Sequence, residues 1–137
     1  MNRGELRLLS SMRAKEAKVL LDAGHAAGAY YLAGYAVECA LKACIARQVR
    51  VGDFPDKAAV NKAWTHNLAS LVEAAGLKPQ FENDQLTDRA LQINWGVVKD
   101  WVPESRYDTT VTPAKARDMY RSCTRPHGVL PWVRKRW

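Results

Sequence analysis

The sequence lacks any hydrophobic run long enough to cross a membrane. Its longest weakly polar stretch, residues 26–45, contains charged side chains and begins too far into the chain to be a secretory signal. Paired cysteines are also missing, because Cys39, Cys44 and Cys123 are an odd number without CxxC spacing. This pattern suggests neither a disulfide framework nor a zinc site. We therefore expect a cytoplasmic protein with reduced thiols, no membrane segment and no bound metal.

Several signatures of enzyme chemistry are absent as well. The sequence has no Gly-rich phosphate loop, no cluster of metal ligands and no Ser/His/Asp set in a recognisable context. Most enzyme classes thus find no support, and no cofactor is expected. Runs of alternating polar and apolar residues bounded by turn signals are missing too, which argues against a β-sheet.

The charge of the chain is unevenly distributed. The 137 residues carry a net charge of +7, and most of it lies after residue 112. That part of the sequence holds seven basic residues and one acidic residue, while the remainder is nearly balanced. Such an asymmetry is typical of a surface that faces a polyanion or an acidic partner. The alternative is a solvated basic segment that only aids solubility.

Apolar residues recur at helical spacing in five segments. The second segment is apolar on almost every side, which predicts a helix at the centre of a bundle. Thr65, Asn83 or Asp84, and Thr112 are the expected N-caps of the last three helices. The chain is thus predicted to be a single all-α domain over residues 1–137, an up-and-down bundle of about five helices. Its predicted helical segments are 4–22, 26–48, 65–76, 83–102 and 112–128, with a loop at 52–56 and a basic, aromatic tail at 128–137.

Three segments resemble landmarks of the HEPN family of nucleotide- and RNA-associated proteins. Residues 29–43, AYYLAGYAVECALKA, are similar to the family's second-helix signature. Residues 65–71, THNLASL, and residues 101–107, WVPESRY, resemble two downstream landmarks in the same order. The resemblance implies a helical bundle, commonly a homodimer. It also implies RNA or a nucleotide as ligand, and a nucleotidyltransferase or an antitoxin as a protein partner.

Members of the family that cleave RNA have an arginine followed by a histidine a few residues later. Arg106 is the family-like arginine here, but residues 111–113 read Val, Thr and Pro, so the expected histidine is missing. Arg121 and His127 match the spacing elsewhere in the chain, although Pro126 breaks the helix just before the histidine. We interpret that second match as accidental, and the sequence leaves open whether the protein is an enzyme.

Arg106, His66 and Glu38 are the candidate catalytic residues. Metal-free cleavage of RNA needs proton-transferring groups and a cation that stabilises the phosphorane, and these side chains supply them. His66 matches a family landmark, and its alternative role is a hydrogen bond at a helix start. Glu38 lies in the most apolar helix and needs a partner. That partner is either Lys42, one turn away, or Arg106 or Tyr107 in a polar cleft.

Five residues are candidates for binding a nucleotide or nucleic acid. Four of them are arginines, and three of these recur at every fourth position, which aligns them on one side of a helix. Basic side chains interleaved with aromatic rings suit single-stranded RNA. Trp132 is expected to pack in the core instead. The candidates are Arg106, Tyr107, Arg117, Arg121 and Arg125.

The sequence therefore favours a HEPN-like nucleotide- or RNA-binding module, as part of a toxin–antitoxin or defence pair. Two alternatives stay open. One is a metal-independent endoribonuclease toxin that uses Arg106 with a histidine from elsewhere, such as His66 or a dimer partner. The other is a non-catalytic protein partner of a nucleotidyltransferase.

Overall fold

A computed structural model describes residues 1–49 and 57–137 of the chain. These residues form eight α-helices and one 3₁₀ helix, and they contain no strand, which confirms the all-α bundle. No helix in this part of the protein is both long and apolar enough to cross a bilayer. The predicted loop at 52–56 lies outside the described residues. The α-helices are α1 (Arg3–Asp22), α2 (Ala26–Gln48), α3 (Lys57–Ala63), α4 (Leu68–Ala74), α5 (Lys78–Thr87), α6 (Arg89–Val98), α7 (Pro113–Thr124) and α8 (Val129–Arg134), and the 3₁₀ helix (Pro103–Tyr107) lies between α6 and α7.

Helix α2 lies at the centre of the bundle, as its sequence predicts. Helices α1, α4, α7, α8 and the 3₁₀ helix all contact it. Its many alanines let these neighbours approach closely, and Ser10 of α1 donates a hydrogen bond of 2.7 Å to the Ala36 carbonyl oxygen. A helix that is buried on nearly all sides needs apolar residues on all sides, and α2 has them.

The predicted fourth helix is in fact two helices. Asn83 and Asp84, the expected caps, lie inside α5, because the helix already begins at Lys78 with a proline in its first turn. Asp88 ends α5 and caps α6, since its side chain accepts a 3.1 Å hydrogen bond from the Leu91 amide. Leu86 lies just before this break and is 82% exposed.

The start of α4 also differs from the prediction. Asn67, and not Thr65, is the N-cap, because the Asn67 side chain accepts a 2.9 Å hydrogen bond from the Ser70 amide. Thr65 lies two residues earlier and accepts a hydrogen bond from the Asn67 amide. The predicted end of this helix is confirmed. Gly76 follows it with a φ of +70°, a conformation that glycine adopts at little cost.

The C-terminal segment packs on the bundle through α8 and is not a solvated tail. Five of the six residues of α8 are apolar, and Val129, Leu130 and Val133 are fully buried against the bundle. Trp132 is 8% exposed, and its indole N–H donates a 2.8 Å hydrogen bond to Asp84. The prediction that Trp132 packs in the core is confirmed.

The three cysteines are buried and free, as small core residues. Burial raises the pKa of Cys39 and of Cys44 to about 11, and it raises the pKa of Cys123 further. All three thiols therefore stay protonated near neutral pH, where a thiol is a poor nucleophile.

Candidate functional site

Trp101 fixes the 3₁₀ helix on the surface of α2. Its indole ring lies directly against Gly34, where no side chain intervenes, and its relative exposure is 1%. The same ring stacks on Tyr31, with the ring centroids 5.9 Å apart. The chain then continues into the 3₁₀ helix, which contacts α2. Arg106 is thereby placed beside Tyr31.

Arg106 is exposed, and its guanidinium lies over an aromatic ring. Its guanidinium carbon lies 4.8 Å from the centroid of the Tyr107 ring. Hydrogen bonding to the Tyr107 side chain, and to a lesser degree to the Tyr31 side chain, raises the pKa of the Arg106 guanidinium. No carboxylate pairs with Arg106 among the residues that the structure describes. The permanently charged guanidinium is thus available to an anion from solution.

Glu38 is buried, with 3% of its surface exposed, and it has two partners. One carboxylate oxygen lies 3.3 Å from Lys42 Nζ, and the other lies 2.9 Å from His66 Nδ1. The predicted pair with Lys42 is confirmed. The alternative partner, Arg106 or Tyr107, is wrong, because Lys42 and His66 each contact one carboxylate oxygen and Arg106 lies beside Tyr31, seven residues earlier on α2.

His66 is oriented by this buried carboxylate. It lies between Thr65 and Asn67, whose side chains fix the start of α4. When Nδ1 carries the proton and donates to Glu38, the other ring nitrogen, Nε2, is the proton acceptor of a neutral imidazole. The His66 side chain is 59% exposed, so solvent and solutes reach it. The structure therefore brings together two of the three predicted catalytic residues.

Tyr31, Tyr35, Glu38 and Lys42 form one strip along α2, which we call the α2 strip. They follow one another at intervals of three and four residues, so a helix places them on one side. The rings of Tyr31 and Tyr35 are stacked, 5.9 Å apart and 9° from parallel. Burial raises the pKa of Tyr35 to about 12, and its phenol therefore stays neutral near neutral pH.

The α2 strip separates Arg106 from His66. Arg106 lies beside Tyr31, and His66 contacts Glu38, seven residues further along the helix. Seven residues correspond to about 10 Å along an α-helix. Arg106 and the Glu38–His66 pair therefore meet α2 at points about two turns apart.

Sequence reasoning missed three aromatic residues at this site. Tyr31 and Tyr35 are part of the α2 strip, and their spacing from Glu38 was the available signal. Trp64 is 77% exposed and lies two residues before His66. An exposed tryptophan beside a titratable histidine is a candidate stacking surface, but nothing in the sequence distinguishes it from a core residue.

The arginines of α7 are exposed as predicted, but they do not form one continuous helical line. Arg117 and Arg121 lie one turn apart on α7. Arg125 is the residue that follows the helix, and its Nε donates a 3.1 Å hydrogen bond back to the Arg121 carbonyl oxygen. Its side chain therefore folds against the last turn of the helix and ends the line there.

His127 has a structural contact, which agrees with an accidental match to the nuclease spacing. Its Nδ1 lies 2.7 Å from Asp88, and the Asn94 side chain donates a 3.0 Å hydrogen bond to its carbonyl oxygen. Its φ of +64° marks a tight turn between α7 and α8. The turn directs His127 toward the N-terminus of α6, and Arg121 stays on the exposed side of α7.

The described residues contain no group of three His, Cys, Asp or Glu side chains that could hold a metal ion. Comparison of the chain with protein-family profiles, curated proteins and solved structures finds no match. The HEPN resemblance stays a prediction, and the functional argument depends on the geometry of the site.

Proposed function

We propose that this protein is an RNA- or nucleotide-binding module that uses Arg106 and Tyr107 as its main contacts. The observation that carries the proposal is the Arg106 guanidinium, which is exposed, held over the Tyr107 ring and unpaired within residues 1–49 and 57–137. A guanidinium in this state presents its planar fork to phosphate oxygens. Tyr107 is 73% exposed and offers a ring on which a base stacks.

The charge of the surface supports the same function. Arg117 and Arg121 on α7 are exposed, and neither is in an ion pair with another described residue. They add sequence-independent attraction for phosphate groups, which strengthens binding most at low salt. The HEPN resemblance further implies a homodimer in a toxin–antitoxin or defence pair, and both are predictions of this proposal.

Replacing Arg106 with alanine is expected to weaken retention of a labelled single-stranded RNA by about 10- to 100-fold. This range corresponds to the loss of one charge-assisted contact, worth roughly 1.5–3 kcal/mol. Arg106→Lys should bind with intermediate affinity, because an ammonium group keeps the charge but lacks the planar fork. The measurement is a binding titration at fixed salt, with EDTA present.

The matched control is Arg89→Ala, which removes an exposed arginine at the start of α6. Equal weakening by Arg89→Ala and Arg106→Ala would show that only net charge matters and would contradict the proposed site. If the RNA is neither bound nor cleaved, the result favours the remaining alternative, in which the protein is a partner of a nucleotidyltransferase.

A second candidate function, metal-independent endoribonuclease, is favoured by the contact between Glu38 and His66. A buried carboxylate 2.9 Å from an exposed imidazole is a common means of orienting a general base. His66 would take the proton of a ribose 2′-hydroxyl as the 2′-oxygen bonds to phosphorus. The bond from phosphorus to the 5′-oxygen would break, and the leaving oxygen would receive a proton. The products are a 2′,3′-cyclic phosphate and a 5′-hydroxyl end.

If the protein cleaves RNA in EDTA, His66→Ala should lower the rate by about 10²- to 10⁴-fold, the usual contribution of a general base. Glu38→Gln should also lower the rate, because a neutral amide no longer stabilises the protonated imidazole. The measurement is the rate of formation of the cyclic phosphate end. His25→Ala is the matched control, since His25 is exposed and makes no side-chain hydrogen bond at the start of α2. If the rate of His66→Ala equals that of wild type, His66 takes no part in the reaction.

A further inference from the structure

A groove of about 620 Å³ lies where α1 meets α7 and the C-terminal segment. Three cations line it, Lys15 and Lys18 from α1 and Arg134 from α8, and its described lining contains no acidic side chain. Tyr120 and Trp137 contribute aromatic surface to the same groove. The sequence had indicated a basic C-terminal region, but it had not indicated that α1 provides the opposite wall.

Arg134 is the least satisfied of these cations. Its Nε atom is buried and has no hydrogen-bond partner among the described residues. Its guanidinium carbon lies 5.7 Å from the Trp137 ring centroid, and Arg7 lies 5.0 Å from the same ring. A buried N–H group without an acceptor is unfavourable, and native proteins rarely contain one. The Trp137 ring therefore holds the Arg134 guanidinium at the wall of the groove.

The rim of the groove carries further positive charge. Arg117 lies three residues before Tyr120 on α7, and Arg121 lies three residues before Thr124, which also lines the groove. Residues three apart are neighbours on a helix surface, so both arginines lie beside the groove. Lys18 is held 2.7 Å from Asp22, whereas Lys15 has no ion pair with any described residue.

The groove is separate from the α2 strip. Helix α1 contacts α2 at Ala36, whose carbonyl oxygen accepts the Ser10 hydrogen bond, and the strip passes through Tyr35 and Glu38. Successive residues of a helix are about 100° apart, so Ala36 lies well away from the line that the strip follows. A ligand in the groove is on a different side of α2 from Arg106 and His66.

We infer that this groove binds the phosphate groups of a single-stranded polynucleotide. Cations at the wall and rim, with aromatic rings among them, are the usual composition of sites that follow a single-stranded backbone. The groove is open and extends along two helices, which suits a strand better than a mononucleotide. This inference rests on the proposed function and narrows it. The ligand becomes a polynucleotide strand, and the protein contacts that strand at a second region besides Arg106 and Tyr107.

The test is the salt dependence of binding to a labelled oligouridylate of roughly 12 nucleotides, a length within the usual site sizes for single strands. For the double variant Lys15→Gln with Lys18→Gln, the slope of log K against log salt should become shallower by about 0.7 for each lost phosphate contact. Lys15→Arg should keep the wild-type slope. The matched control is Lys99→Gln, which removes an exposed lysine at the end of α6. The corresponding oligodeoxyuridylate distinguishes RNA from DNA as the strand.

Each outcome separates the two proposals. A shallower slope in the lysine pair, with Lys99→Gln unchanged, supports the groove. If Arg106→Ala weakens binding while the lysine pair matches wild type, the proposed function stands and the groove is overturned. A slope change in the lysine pair no more than twice that of Lys99→Gln would also overturn it, because the pair removes two charges and the control one, and such an effect comes from net charge alone. If the wild-type protein retains no strand, both proposals fail.

Discussion

Replacing Gly34 with alanine is expected to destabilise the protein by about 3 kcal/mol, although alanine is normally the better helix former. A Cβ atom at this position would overlap the indole ring of Trp101. Helix α2 cannot move away, because α1, α7 and α8 pack around it. The ring must therefore leave its site, and loss of a buried tryptophan costs about 3–5 kcal/mol, of which the helix propensity of alanine returns up to about 1 kcal/mol.

The measurement is urea denaturation followed by circular dichroism. Gly96→Ala is the matched control, because Gly96 lies within α6 and has open space where a Cβ atom would be placed. That variant should be more stable than wild type by up to about 1 kcal/mol. We expect the two substitutions to change the free energy of unfolding in opposite directions. A Gly34→Ala variant as stable as wild type would mean that Trp101 does not pack against Gly34.

The same substitution has a functional consequence. Trp101 holds the 3₁₀ helix against α2, and Arg106 and Tyr107 belong to that helix. Expulsion of the ring should therefore weaken RNA retention even at temperatures where Gly34→Ala remains folded. A folded variant with undiminished RNA binding would separate the position of Arg106 from the packing of Trp101.

Replacing Trp132 with alanine is expected to cost about 3–5 kcal/mol, a large part of the 5–15 kcal/mol that stabilises a typical domain. Trp132 packs against Phe81, with ring centroids 4.5 Å apart, and donates a hydrogen bond to Asp84. Arg136 lies 3.6 Å from the centroid of its ring. Removing the indole leaves a cavity where α8 meets α5 and removes the ring contact of Arg136 and the hydrogen bond to Asp84, while the 3.3 Å ion pair between these two residues remains.

Thermal and urea unfolding measure this effect. Trp64→Ala is the matched control, because Trp64 is 77% exposed and its removal should change stability by less than about 0.5 kcal/mol. A small effect of Trp132→Ala would mean that residues 128–137 form a dispensable tail after all. A large effect would show that truncation of this segment tests folding and cannot be used to test RNA binding.

The fold class followed from the sequence because helical periodicity is a local property. The bounds of α2 were predicted correctly, since a long apolar segment between a glycine and a polar stretch has one consistent interpretation. The break at Asp88 was missed because Asp88 competes as a cap with Asn83 and Asp84, and only the tertiary packing of Phe81 and Leu91 decides among them. Helix α8 was missed because its burial depends on distant residues.

The candidate site was predicted in part, for a similar reason. Glu38 and Lys42 are one turn apart, so their pair could be expected from local spacing. The contact between Glu38 and His66 joins residues of two helices, 28 positions apart, and no periodicity encodes it. One of the two alternatives placed Arg106 beside Glu38, but Trp101 anchors its segment at Gly34 and places Arg106 beside Tyr31.

The position of α8 has a consequence for synthesis on the ribosome. The Cys44 thiol of α2 contacts the carbonyl oxygen of Val133, and 89 residues of chain separate the two. At a translation rate of about 5–20 residues per second, roughly 5–20 s pass between the emergence of α2 and that of the helix that covers it. For that interval the nascent chain exposes an apolar face of its central helix. Chaperone binding to the newly made chain should therefore persist until α8 is free to pack on α2.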